Sequence, residues 1–311
     1  MTILGYHHFQ NWHVLKEQSD NLDYDFTFGF ELEVTYRNTN DRDVCEELAN
    51  ILSSTFNDYF VYERDGSIGN GVEIISQPMT WNWFMNHLGV FEHLLMICDE
   101  RGFSSHDGNM CGLHVHIGRN ATCNLDRNNR ELDEHKVITN INYILERFQD
   151  EIYKFSRRTP KTNKKWCSAR TELIEQDNGC DFIDKNEIKS IDDYADFRYR
   201  SLNLSNSETI EFRFLRGTLN WKTFFISMNL IKNIVEYGRM SNHSITFNDL
   251  VFNGLNDEEW IEIAKAYCAK RKISLLKCAK QTLFLENTSC DKLENIFEID
   301  KLELANSILN N

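Results

Sequence analysis

The stretch that decides the fold is "FTFGFELEVTY", residues 26–36. In a strand, successive side chains point to opposite faces of the sheet. Phe26, Phe28, Phe30, Leu32, Val34 and Tyr36 then form one unbroken apolar face, and Thr27, Gly29, Glu31, Glu33 and Thr35 form the other. Two carboxylates side by side repel each other, so the polar face either meets water or holds something cationic.

Three further stretches share this design. In "GVEIISQ" (71–77), Glu73, Ile75 and Gln77 oppose Val72, Ile74 and Ser76. In "GLHVHIG" (112–118), His114 and His116 share one face, and Leu113, Val115 and Ile117 the other. In "TIEFRFL" (209–215), Glu211 and Arg213 lie opposite Ile210, Phe212 and Phe214. A merely solvated face draws on Lys, Thr, Ser and Gln as freely as on Glu and His. These four strands project Glu, His and Arg and no Lys, which favours a site over a wet surface.

The donor set narrows the cation. Carboxylates dominate and thiolates are absent from the strands, which suits Mg²⁺ or Mn²⁺ with an imidazole tolerated. The competing reading is zinc, or manganese, on the His-x-His strand of His114 and His116, serving a hydrolase. Glutamates on three strands suit a two-metal site that clamps phosphate oxygens, and Arg213 is the residue type that stabilises a transferring phosphoryl group. Together they point to ATP chemistry, although the GxxxxGK[ST] loop is missing and "GSIGNG" by itself is only a turn.

Between the strands, helical periodicity marks residues 42–54, 82–100, 131–155 and 220–238. The last 70 residues read as helical, with Asn256 as a cap. Strands separated by helices but also arranged as hairpin-like pairs predict an α+β fold, with a largely antiparallel sheet, helices on one face and the other face open. The expected division is a catalytic domain over residues 1–240 and a helical extension over 241–311.

A formal charge of −14 over 311 residues argues against non-specific binding to nucleic acid or to an anionic membrane. No apolar run approaches the length that spans a bilayer. "MTILGYHHFQNWHV" lacks a basic region followed by an apolar core, so a cytoplasmic protein is expected. Nine cysteines without paired spacing read as free thiols in a reducing compartment.

The strands "GFELEV", "DGSIGNGVEIISQP", "CGLHVHIG" and "RYRSLNLSNSETIEFRFLRGT", in this order and spacing, resemble the amidoligase family. This is a branch of the carboxylate–amine ligase superfamily that includes glutamine synthetase and glutamate–cysteine ligase. The resemblance covers about residues 24–240. It implies a curved antiparallel sheet holding ATP and two or three Mg²⁺ ions, and activation of a carboxylate as an acyl phosphate that an amine then attacks. Under it, Glu31, Glu33, Asp65, Glu73, His114 and Glu211 correspond to metal-site residues, and His116 lies near the nucleotide phosphates. Glu211 and Arg213 match a catalytic E-x-R, with Arg213 on phosphate. Arg200 and Asn203 would serve ATP or the substrate carboxylate. The implied partners are a small-molecule, peptide or protein carboxylate and an amine. Non-catalytic binding on a retained ligase fold is a further alternative.

Blander readings stand beside several of these. Asp65 also suits an Asp-Gly turn. Arg200 and Asn203 also suit strand surface. The basic run Arg157–Arg170 is either a solvated loop or a lid over anions. His7, His8 and His13 form only a loose terminal tract, and Cys111 reads as a packed thiol.

Overall fold

The computed structural model describes residues 3–5, 11–37, 42–64, 66, 68, 71–106, 111–158, 201–240 and 242–285. Asp65, Arg200, His7, His8, most of the Gly-rich turn, the basic run beyond Arg158 and the tail from 286 lie outside them.

The opening stretch is strand β1 (Thr27–Tyr36), and it sits in the middle of the sheet. On one side it pairs with β3 (Gly71–Ser76), which pairs with β2 (Phe60–Glu63). On the other it pairs with β6 (Gly112–Gly118), followed by β8 (Thr209–Arg216) and β7 (Leu202–Asn203). Two short strands, β4 (Met79–Thr80) and β5 (Phe103–Ser104), pair with the two ends of β1. All these ladders are antiparallel, as expected of an α+β fold.

The apolar face of β1 is core: Phe28, Phe30, Leu32 and Val34 are at most 3% exposed. It packs on helices α1 (Arg42–Phe56), α2 (Trp81–Asn86), α3 (Leu88–Glu100) and the long α7 (Trp221–Arg239). Phe30 is the centre of this contact, with ring centroids 6.1 Å from Phe91 on α3 and 5.1 Å from Phe224 on α7.

Two predicted helices are each a pair. The 131–155 pattern divides into α5 (Glu134–Arg147) and α6 (Gln149–Ser156) at Phe148, whose φ of −107° leaves the helical region. The 82–100 pattern divides at His87, φ −121°, whose ring stacks on Trp83 at 4.1 Å. In both places the apolar period continues across the break, so periodicity alone does not register it. Between β6 and α5 lies the short α4 (Asn120–Cys123).

The C-terminal region departs from an all-helical reading. It contains α8 (Phe247–Phe252), α9 (Glu258–Lys270) and α10 (Leu275–Cys278). It also contains a two-stranded antiparallel sheet of β9 (His243–Thr246) and β10 (Thr282–Leu285). "HSIT" and "TLFL" are short, β-branched or aromatic runs that suit strands. Asp257, not Asn256, caps α9, accepting from the Glu259 N–H. The region packs on the first part of the chain: Phe247 meets Phe148 and Phe155, and Tyr267 donates to the Phe155 carbonyl at 2.6 Å. Among the described residues, Cys45, Cys98, Cys111, Cys123, Cys268 and Cys278 form no disulfide. No helix among the described residues is long and apolar enough to cross a membrane.

Candidate metal centre

The second face of the sheet is not a wet surface. Glu33, Glu63, Glu73, His114 and Glu211 on it are all at most 6% exposed. Carboxylates at that burial need hydrogen bonds or cations to stay ionised.

Register brings these side chains into rows. Glu63 on β2 stands opposite Glu73 on β3, which stands opposite Glu33 on β1. Glu31 stands opposite His114. His116 stands opposite Glu211, which in turn faces Asn203 on β7. Directly opposed residues on one face have Cβ atoms about 4.5–5.5 Å apart, so each row is in mutual reach.

Glu31 is the hub. Its Oε2 lies 3.3 Å from His114 Nδ1 and its Oε1 lies 3.0 Å from His116 Nε2. His114 Nδ1 is also 3.5 Å from Glu211 Oε1, the oxygen that Arg213 Nη1 grips. The other Glu211 oxygen accepts from Asn203 Nδ2 at 2.7 Å, and Asn203 Oδ1 accepts from the Ser205 N–H. Asn203, expected to touch nucleotide or substrate, therefore has both ends of its amide engaged, one on Glu211 and the other on the Ser205 N–H.

Among the described residues, two sets of three converge closely enough to hold an ion: Glu31, Glu73 and His114, and Glu31, His116 and Glu211. Within each set the ligand atoms lie within 4.8 Å of one another. Both sets use Glu31, so its carboxylate is common to the two candidate ion sites. The donors are carboxylate and imidazole with no thiolate, a fit to Mg²⁺ or Mn²⁺. Glu33 belongs to neither set; its Oε2 accepts the Gly112 N–H.

Electrostatics support the hub. Burial raises the Glu31 pKa, but the charge of His116 and the hydrogen bond with His114 more than offset it, holding Glu31 well below the usual carboxylate range. Burial lowers the His116 pKa, yet Glu31 and then Glu211 outweigh it, against a smaller push from Arg213, and raise it to about 9. In the metal-free protein the His116 proton thus fills part of a cation's role. Because the folded pKa lies above the unfolded value of about 6.5, this pair's stabilisation is fully present below that value. It is lost as pH rises through about 9. Chemical denaturation in chelator is expected to give a lower midpoint at about pH 10 than at about pH 7, with a flatter profile for His116→Gln. Equal pH dependence in the two proteins would contradict the assignment.

Three residues of the face escape a reading by alternation. Glu63 ends a strand of only four residues, though it lies in phase with Val61 and out of phase with the buried Phe60 and Tyr62. Arg216 is hidden by a β-bulge: Leu113 pairs with Leu215 and Val115 with Phe212, so Arg213 and Phe214 together oppose His114. The extra residue reverses the phase of β8 and brings Arg216, opposite Gly112, onto the polar face. Arg158 arrives from the end of α6. A Cβ on Gly112 would meet Arg158 Nη2 at 2.8 Å and His114 Nε2 at 2.7 Å, so a bare backbone at Gly112 is what lets both approach.

A scan against protein-family models finds no match for this chain, and a search of curated proteins finds none either.

Proposed function

We propose that the chain is an ATP-dependent carboxylate–amine ligase of the amidoligase type, on a curved sheet like that of glutamine synthetase and glutamate–cysteine ligase. The observation that carries this reading is one carboxylate, Glu31, shared by two convergent acid–imidazole sets, with Arg213 paired to Glu211 beside them.

On this reading Glu31, Glu73 and His114 hold one Mg²⁺ or Mn²⁺, and Glu31, His116 and Glu211 hold a second. When bound, such ions offset the charge on nucleotide phosphates. The chain's own residues do the rest. Asn203 and Arg213 fix Glu211 from two sides and prevent it from turning away. The Arg213 fork, held by Glu211, is positioned to contact the phosphoryl group as it passes to the substrate carboxylate. Glu33 and Gly112 tie β1 to β6, which keeps Glu31 and His114 in register. The phosphorylated carboxylate then carries a leaving group, and an amine displaces it to give the amide.

The zinc hydrolase reading draws less support. His114 and His116 fall in different sets, and among the described residues no set contains both. A non-catalytic binder would have no need of so many buried ionisable groups in register.

The test is ATP turnover with Mg²⁺ against pooled carboxylates and amines, followed by identification of the amide by mass. Turnover that depends on one carboxylate and one amine supports the ligase. Stoichiometric zinc with no nucleotide binding would replace it with the hydrolase.

A further inference from the structure

The acids on this face are matched by a group of arginines at its other end, held largely by backbone carbonyls. Arg157 Nη2 donates to the carbonyls of Arg216 and Gly217, at 3.2 and 3.0 Å. Arg158 donates through both Nε and Nη2 to the Leu215 carbonyl. Arg216 donates to the carbonyl of His106, and Arg271 lies over the Tyr267 ring, 5.0 Å from its centroid. These partners are neutral carbonyls and a ring. Among the described residues, no carboxylate forms an ion pair with Arg157, Arg216 or Arg271, in a chain whose net charge is −14. The Nε atoms of Arg216 and Arg271 are buried without a hydrogen-bond partner.

Such an arrangement is costly. Burial lowers the Arg157 pKa, Tyr267 opposes this, and Arg271 and then Arg216 lower it further by like-charge repulsion. Arg157 also holds a φ of +65°, a left-handed conformation that a non-glycine residue keeps only where its surroundings enforce it. That turn sends Arg157 and Arg158 onto the three successive carbonyls that follow the bulge, beside Arg216 on the polar face. Arg157 and Arg216, fixed by backbone acceptors, and Arg271, laid over a ring, are half-buried guanidiniums without an acid among the described residues, a rigid fork array for oxyanions.

We propose that Arg157, Arg158, Arg216 and Arg271 form an anion-binding site for a ligand with two or more carboxylate or phosphate groups. The site adjoins the metal centre through Gly112 and His114 but does not depend on metal or on the ligase reading. It divides the face into a cation-binding part on β1, β3, β6 and the start of β8 and an anion-binding end past the bulge of β8.

The test is titration of the full chain in chelator with pyrophosphate and, separately, with triglutamate, following thermal unfolding against sodium chloride at matched ionic strength. At least one anion is expected to raise the unfolding temperature beyond the salt control. Arg271→Gln and Arg216→Gln should each weaken that response roughly tenfold. Circular dichroism verifies folding, and the two variants serve as independent tests should one fail to fold. Glu31→Gln should respond as wild type does, which separates this site from the metal centre. A response to pyrophosphate alone assigns the site to a phosphate, and one to triglutamate alone to a substrate carboxylate. No stabilisation beyond salt, equal responses in wild type and both arginine variants, or loss of the response in Glu31→Gln would each overturn the proposal.

Discussion

Replacing Glu31 by Gln is expected to lower divalent-metal affinity by at least about 100-fold and to abolish metal-dependent nucleotide turnover, with the fold intact. Changes to residues that merely orient metal ligands cost about 10–100-fold, and Glu31 supplies a ligand to both sets. The amide is nearly isosteric but neutral, so it neither bridges two cations nor sustains the charge on His116. Without that charge beside it, His116 loses the first of the interactions that raise its pKa to about 9. Binding of Mn²⁺, followed by electron paramagnetic resonance or calorimetry, reads the effect directly. Glu33→Gln is the informative contrast, because Glu33 lies outside both sets and faces Gly112. It should cost much less. Wild-type Mn²⁺ affinity in Glu31→Gln would remove the basis for the metal centre.

The largest effect on stability is expected from Phe30→Ala, at about 3–5 kcal/mol by denaturant unfolding. Phe30 is 1% exposed and touches the rings of Phe60, Phe91 and Phe224. Truncation removes buried apolar surface and leaves a cavity where β1 meets α3 and α7. Edge-to-face partners add about 0.5–1.5 kcal/mol beyond area alone. Against a typical domain stability of about 5–15 kcal/mol, this is a large share. A loss below about 1 kcal/mol would mean that the core collapses around the gap and that β1 is less rigidly held than its packing implies.

Much of the site was legible because a strand's alternation converts sequence directly into faces. Glu31, Glu33, Glu73, His114, His116, Glu211 and Arg213 all lie on the polar face where alternation puts them, and their opposite numbers are buried. Glu63 needed a strand long enough to show a period. Arg216 needed the bulge, since one inserted residue exchanges inside for outside from that point on. Asn203 was legible as a site residue but not as the support of Glu211, since pairing between β7 and β8 sets that contact. Helix breaks at His87 and Phe148 were invisible because the apolar stripe runs through them.

The sequence by itself determined which residues face the core and which face the second side along β1, β3, β6 and β8 up to its bulge, because the period of two is built into the extended backbone. It also determined the chemical class of the face, acidic and imidazole-rich with arginine. What only the tertiary structure decided was pairing. Strand order and register made Glu31 rather than Glu33 the shared carboxylate, and assigned the two histidines to different sets. The bulge and the left-handed turn at Arg157 gathered arginines far apart in sequence at one end of the face. Those contacts join segments separated by tens to more than a hundred residues, and no local period encodes them.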